Sequence, residues 1–167
     1  MTYTSDYPSP LGAITLASDG QSLTGLWFDG QKYFGSTLQG ETLMAQPDLH
    51  IFRQTRLWLD IYFGGEEPRF TPQLRLQTSP FRRLVWQALL SIPYGQTRTY
   101  ADIARIVAPQ MGLATMSAQA VGGAVGHNPI SIIIPCHRIV GSDGSLTGYA
   151  GGIDRKQKLL LLEHAFK

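Results

Sequence analysis

The chain has 167 residues, of which 43% are hydrophobic and 16% charged, a composition typical of a globular protein with one sizeable core or two small domains. No apolar run approaches the length of a membrane span, and Met1 to Asp6 lack the basic and apolar regions of a signal peptide. The single cysteine excludes an internal disulfide and a multi-thiol metal site, and it predicts a reducing, cytoplasmic environment.

Basic residues are concentrated in the second half of the chain. Residues 1–78 carry five Lys or Arg against eight Asp or Glu, whereas residues 79–167 carry nine against four. A basic domain is typical of proteins with a polyanionic partner, although a solvated basic surface is the commoner explanation of a modest excess.

The first half predicts a small α/β domain over residues 1–75 with a short antiparallel sheet. Asp19-Gly20 is a turn signal between two strands, and Gly64-Gly65 ends a helix marked by spaced apolar residues. The expected elements are strands at 13–17 and 23–28, a loop over 30–47, a helix over 48–63, and a linker over 66–78 with a short strand at 74–76.

The second half, over residues 79–167, predicts several short helices. Ser79, Thr99, Ser117 and Asp154 are the expected capping residues. The expected helices cover 80–92, 100–107, 117–125 and 154–165. The second and third of these, joined by a turn, make a helix-turn-helix candidate, and the whole chain is therefore predicted to be an α+β protein.

The helix over 117–125 has no charged residue and contains the adjacent glycines Gly122 and Gly123, which weaken a helix by roughly 1 kcal/mol each. One interpretation is a tightly packed, buried helix. The other is a helix with a bare face whose backbone can approach a partner closely, as in a narrow minor groove of DNA. The residues alone leave the two interpretations equal.

Cys136 follows a run of three isoleucines, which predicts a buried strand that ends at Pro135. A cysteine in this setting is more often inert core than nucleophile. His137 and Arg138 favour the nucleophile, because positive charge beside a thiol stabilises the thiolate. Since adjacent side chains on a strand point to opposite faces, His137 can reach the thiol only through a turn or a water molecule. The four histidines show no metal-ligand spacing with the cysteine.

Five short motifs in the second half resemble the methylated-DNA–protein-cysteine S-methyltransferases, the O6-alkylguanine-DNA alkyltransferases. A bare Pro-Cys-His-Arg tetrapeptide is a weak match, but five motifs in this order and spacing are specific. The motifs are Ile92-Pro93-Tyr94-Gly95, Thr99-Tyr100, Gly126-His127-Asn128-Pro129, Pro135-Cys136-His137-Arg138 and Gly148-Tyr149-Ala150-Gly151-Gly152. The resemblance implies a ribonuclease H-like first domain and a winged helix-turn-helix-like second domain.

The resemblance also implies a reaction. Cys136 would take an alkyl group from O6 of guanine, or from O4 of thymine, in one irreversible turnover. Glu163 would orient His137, which would reach the thiol through a water molecule. Asn128 would link the recognition helix to the active-site turn, and Tyr149 would contact the flipped base.

The remaining implied contacts are with the substrate or with DNA. Tyr100 would help to extrude the nucleotide, and Gln119 stands where most of the family has an intercalating arginine. Backbone carbonyls at Cys136 and Ile139 would read the base, with Ala150 and Gly151 walling the pocket. The other candidate contacts are Arg98, Thr99, Arg138 and Ser117.

The partner implied is therefore the minor groove of double-stranded DNA carrying O6-alkylguanine, bound by a monomer with cooperative assembly left open. The resemblance implies no cofactor and no metal, and no membrane partner is expected. Two other functions remain open at this stage. One is a non-catalytic sensor of alkylated DNA, and the other is a cysteine-histidine hydrolase that acts on an acyl substrate.

Overall fold

A computed structural model describes residues 1–165 of the chain. The chain forms two compact units, the first made of Met1–Leu76 and Pro129–Ser131, and the second of Gln77–Asn128 and the residues that follow Ser131. The predicted α+β class is confirmed. The return of Pro129–Ser131 to the first unit was not predicted, because the pairing that causes it joins residues about a hundred positions apart in sequence.

The first unit contains a four-stranded sheet in the order β3-β2-β1-β4. Its elements are β1 (Thr2–Ser9), β2 (Gly12–Ser18), β3 (Leu23–Phe28), β4 (Leu43–Ala45) and α1 (His50–Phe63). Strands β1, β2 and β3 pair antiparallel, as predicted, and β4 adds a parallel pairing with β1 that was not predicted. The predicted loop over 30–47 contains β4, whose three residues are all exposed, so no alternation of buried and exposed positions marks it as a strand.

The core of this unit lies between the sheet and α1. Strands β2 and β3 are buried over most of their length, and α1 contributes the buried side chains of Phe52, Leu59 and Tyr62. The helix ends at Gly64-Gly65 as predicted. Segment 129–131 joins β3 through hydrogen bonds from the Leu26 N–H to the Pro129 carbonyl and from the Ser131 N–H to the Leu26 carbonyl.

The second unit is mostly helical. Its elements are α2 (Pro80–Leu90), β5 (Arg98–Thr99), α3 (Tyr100–Gln110), α4 (Ala118–Gly126), a 3-10 turn (Cys136–Arg138), β6 (Ile139–Val140) and α5 (Ile153–Leu162). Ser79, Thr99 and Ser117 cap α2, α3 and α4 with their side-chain oxygens, as predicted. The short strands β5 and β6 pair in parallel and bring Arg98 beside Ile139.

Three predicted elements differ in the structure. Helix α5 is capped by Gly152 at φ +93°, which lets the backbone turn without a side-chain cap, so Asp154 lies in the first turn. The same helix ends at Leu162 rather than near 165. Helix α3 continues to Gln110, because Pro109 lies in its last turn and removes only one terminal N–H donor. The expected strand before Cys136 is a turn, with Ile132 at φ +70°.

Helix α4 combines both interpretations of its sequence. Val121, Ala124 and Val125 are buried, and the Trp86 indole N–H donates to the Ala124 carbonyl at 2.9 Å. On the other side Gln119 and Gly123 are exposed, and a Cβ atom at Gly123 would meet nothing within 4 Å. The helix is therefore packed on one face and bare on the other.

We predict opposite stability effects for the same substitution at two glycines. A Cβ at Gly25 would lie 2.0 Å from the buried Trp27 ring, so Gly25→Ala should cost about 2 kcal/mol or more. Gly123→Ala should stabilise by about 0.5–1 kcal/mol, since alanine orders a helix better than glycine. Urea denaturation followed by circular dichroism measures both changes. Equal destabilisation by the two variants would contradict these packing assignments.

Candidate active site

The turn at Ile132 places Cys136 at the start of the 3-10 turn, in a buried position. The thiol is 5% exposed, and Ile130, Ile134 and Ile139 around it in sequence are fully buried. The Asn128 amide donates to the Ile134 carbonyl at 2.8 Å and to the Cys136 Sγ at 3.3 Å. Asn128 thus joins the end of α4 to the thiol, as expected for a hinge between them.

His137, next in the same turn, is fully buried and directed towards α5. Its Nε2 donates to Glu163 Oε2 at 2.6 Å, and both side chains have 0% exposure. The other oxygen of Glu163 accepts from Arg138 Nε at 2.8 Å and from the Gly95 backbone N–H at 3.2 Å. The carboxylate of Glu163 therefore holds the histidine ring by a hydrogen bond, the contact that the resemblance implies.

Arg138 occupies a different place from the substrate or DNA contact expected for it. Its side chain is only 10% exposed, pairs with Glu163, and donates from Nη1 to the Ile92 carbonyl at 2.7 Å. The guanidinium carbon also lies 5.8 Å from the centre of the Tyr94 ring. Because these contacts hold the guanidinium inside the unit, Arg138 orders the turn from 92 to 95 and the Glu163 carboxylate.

The electrostatics of the thiol correct the sequence prediction. We expected His137 and Arg138 to favour the thiolate, but burial raises the pKa of Cys136 above its ordinary value. The hydrogen bond from Asn128 and the charge of Lys156 act in the opposite direction without reversing it. Arg138 does not act on the thiol in this way, because its charge is paired with Glu163.

Of the hydrogen-bonded pair, His137 favours its neutral form and Glu163 favours its charged form. Burial lowers the pKa of His137 despite the neighbouring carboxylate, so the ring is neutral at neutral pH. Burial acts to raise the pKa of Glu163, but the hydrogen bonds and charge from His137 and Arg138 outweigh it and lower the pKa to about 2. A neutral imidazole held by an anionic carboxylate is suited to accept a proton.

The glycine-rich loop after β6 lies against this cluster. The rings of Tyr149 and His137 meet edge to face, with centroids 6.5 Å apart. The Tyr100 hydroxyl, predicted to act on a phosphate, shares a hydrogen bond of 2.9 Å with the Thr147 hydroxyl. Ala150 is half-buried and Gly151 is buried, and the Gly151 carbonyl accepts from Arg155 at 3.2 Å.

The other predicted contacts are either exposed or bonded to residues outside the thiol cluster. Gln119 is exposed on the bare face of α4, and the Ser117 hydroxyl accepts from the Ala120 N–H. Thr99 caps α3 in a reciprocal pair with Asp102. Arg98 donates to the Thr97 carbonyl and to the Gln96 side chain.

Sequence reasoning missed Lys156, which the structure buries completely. The signal was present, since Lys156, Leu159, Leu160 and Glu163 recur at the spacing of one helix face. Two charged residues in an otherwise apolar stripe indicate buried, partnered charges.

Among residues 1–165, no group of three or more His, Cys, Asp or Glu side chains is arranged to hold a metal ion. No helix in that part of the chain has the length and apolar character needed to cross a membrane.

We predict that Arg138→Gln destabilises the protein by about 3 kcal/mol, because Glu163 would remain buried without its cation. Glu163 contributes stability above its ordinary pKa of 4.5, and this contribution is lost as the pH falls towards 2. In the variant the pKa of Glu163 should rise, so the loss should occur at a higher pH and over a narrower range. Urea titrations between pH 2 and pH 7 measure both effects.

The matched control is Arg105→Gln, which breaks the exposed ion pair of Arg105 with Asp102. We expect this change to cost less than about 1 kcal/mol. Equal losses in the two variants would contradict the role assigned to the buried pair.

Comparisons with known proteins find family matches in both halves of the chain. Residues 80–165 match the family described as 6-O-methylguanine DNA methyltransferase, DNA binding domain. Residues 2–77 match the family described as 6-O-methylguanine DNA methyltransferase, ribonuclease-like domain. Together the two matches cover almost the whole chain.

Relatives and solved structures point the same way. A methylated-DNA–protein-cysteine methyltransferase of Mycobacterium bovis is 47% identical over 93% of this chain and 88% of its own length. One from Haemophilus influenzae is 42% identical over 96% of this chain and 86% of its own length. The crystal structure of Mycobacterium tuberculosis O6-methylguanine methyltransferase superimposes with a TM-score of 0.83 and 44% identity, covering 99% of this chain and 94% of that one. A structure of the Mycobacterium tuberculosis protein in complex with DNA gives a TM-score of 0.81 with 43% identity, covering 98% of this chain and 92% of that one. The resemblance found in the motifs is confirmed, and the chain belongs to the 6-O-methylguanine DNA methyltransferase family.

Proposed function

We propose that this protein repairs DNA by transferring an alkyl group from O6 of guanine to Sγ of its own Cys136. The observation that carries the proposal is the buried thiol, bonded to Asn128 and followed by a His137–Glu163 pair, in a chain of this family. An acyl-transfer enzyme would need an oxyanion site in addition, whereas alkyl transfer needs only a nucleophile and a route for protons.

The chemistry follows from the geometry. Glu163 accepts the Nε2 hydrogen of His137, so a proton leaving Cys136 reaches the ring at Nδ1, through a bridging water molecule. The thiolate then attacks the alkyl carbon, an S–C bond forms, and the C–O6 bond breaks with its electron pair left on guanine. The guanine takes up a proton and returns to its ordinary form.

The product explains why the reaction would occur only once. A thioether has no carbonyl carbon that water can attack, so the alkylated cysteine cannot be regenerated by hydrolysis. Each chain contains a single cysteine, and each molecule would therefore be consumed in one transfer.

Access to the substrate requires a flipped nucleotide, because a buried thiol cannot reach O6 of a base that is stacked in the duplex. We assign α4 to the minor groove, since its bare face of small residues permits close approach to DNA. Gln119 lies on that face and would occupy the gap left by the flipped base. Tyr100 and Arg98 precede it in the helix-turn-helix and would contact the phosphates beside that nucleotide.

Tyr149 and the loop around it are assigned to the flipped base. The Tyr149 ring meets the His137 ring edge to face, so it lies beside the residue that follows Cys136 in the chain. Ala150 and Gly151 would form the wall of the pocket, and backbone carbonyls at Cys136 and Ile139 would read the base edge. Asn128 would transmit the position of α4 to the thiol.

The test is to incubate the protein with a duplex carrying O6-methylguanine and to measure the intact mass of the protein. We predict a gain of one CH2 group on Cys136, and no gain in Cys136→Ala. Restored or cleaved DNA with an unchanged protein mass would overturn the proposal. Tight binding with neither product would favour the sensor function.

We predict that Gln119→Ala slows transfer from duplex DNA more than transfer from free O6-benzylguanine, because a wedge is needed only when a base must be flipped. Gln119→Arg should strengthen duplex binding. The slope of log K against log salt concentration should become steeper by about one, because the arginine releases about one more counterion. Stopped-flow or quench-flow kinetics with the two substrates measure the difference.

The control for this pair is Gln157→Ala, an exposed glutamine on α5. It should leave both rates unchanged. Equal slowing of both substrates by Gln119→Ala would argue against the wedge.

A further inference from the structure

Lys156 is a buried cation that the proposed mechanism does not use. Its side chain extends from α5 into the interior of the second unit, and the residue has 0% exposure. Lysine is rarely buried to this extent unless its charge is satisfied by partners. The contacts of Lys156 therefore indicate what its charge does.

The ammonium group holds the glycine-rich loop by its backbone. Nζ donates to the Thr147 carbonyl at 3.2 Å and to the Gly148 carbonyl at 3.4 Å. These carbonyls immediately precede Tyr149, the ring that lies edge-on to His137. The ammonium thus fixes the approach of the loop to the thiol cluster.

The same charge acts on the thiol itself. Burial lowers the pKa of Lys156 to about 8, and the neighbouring Cys136 opposes this change. In return, the Lys156 charge lowers the pKa of the thiol. Both groups would therefore gain from a thiolate–ammonium pair.

The other charged groups around the thiol compensate one another. From the 3-10 turn, Arg138 is paired with Glu163, which caps the C-terminal end of α5, and His137 donates to the same carboxylate. The ion pairs found among residues 1–165 include Lys158 with Asp154 but none made by Lys156. The charge of Lys156 is therefore not neutralised by a carboxylate and can balance a thiolate.

We propose that Lys156 is a positioning residue for alkyl transfer, which fixes the loop ahead of Tyr149 and stabilises Cys136 as a thiolate. The kinetic part of this inference rests on the proposed function, whereas the effect on the thiol does not. When the Cys136 proton leaves for His137, the negative charge on Sγ is balanced by the ammonium. The charge on sulfur disappears when the S–C bond forms.

The experiment compares Lys156→Met, which removes the charge, with Lys156→Arg, which keeps it. The pKa of Cys136 is followed by NMR of 13Cβ-labelled cysteine, which gives one signal because the chain has one cysteine. Lys156→Met should raise the thiol pKa by about one pH unit or more, and Lys156→Arg should restore most of the difference. The control Lys158→Met removes an exposed lysine two residues away and should change nothing.

The second measurement is the rate of transfer from free O6-benzylguanine as a function of pH. In Lys156→Met the rate at pH 7 should fall about tenfold or more, and the difference from the wild type should narrow above pH 8, where wild-type Lys156 loses its own charge. A role in loop structure alone would lower the rate equally at every pH. An unchanged thiol pKa in Lys156→Met would overturn the inference.

The outcomes separate this inference from the proposed function. If the wild type takes no alkyl group from DNA or from O6-benzylguanine, the proposed function fails, while the thiol titration still decides the role of Lys156. If Lys156→Met does not fold, 15Nζ and 13Cβ titrations of the wild type replace it. Coupled titration of the two groups supports the inference, and independent titration overturns it.

Discussion

The hydrogen bonds accepted by the Glu163 carboxylate are the interactions on which the arrangement of the site in the second unit depends. The carboxylate accepts hydrogen bonds from His137, Arg138 and the Gly95 backbone. One side chain at the C-terminal cap of α5 therefore holds both the turn after α2 and the turn that carries the thiol. The group is fully buried, and loss of any of these donors would leave charge in a medium that solvates it poorly. The orientation of the histidine therefore follows from the packing of α5.

The two buried cations of the unit have different partners, and this division gives the site its chemistry. Arg138 is neutralised by Glu163, which leaves His137 a neutral ring beside an anion. Lys156 donates to two loop carbonyls, and Lys156 and Cys136 each favour the charged form of the other. The thiol is costly to ionise in its buried position. We infer that Lys156 supplies the positive charge that stabilises the thiolate, whereas His137 accepts the proton.

Local signals in the sequence predicted much of this arrangement. Ser79, Thr99 and Ser117 were identified as caps because a cap depends on neighbouring residues alone. The pairing of β4 with β1 and the turn at Ile132 depend on distant residues, and neither has a local pattern. The motifs indicated Cys136 and His137, and the family resemblance indicated Glu163. The ion pair of Arg138 and the burial of Lys156 depend on packing, which short motifs do not describe.

The central claim is that one cysteine is consumed in one transfer. The most direct measurement is the number of O6-methylguanine bases restored per protein chain, counted with the duplex in large excess and the reaction followed to completion. The account predicts that this number reaches a plateau at one and that the recovered protein carries the methyl group on Cys136. A number that continues to rise with time, with unmodified Cys136, would contradict it.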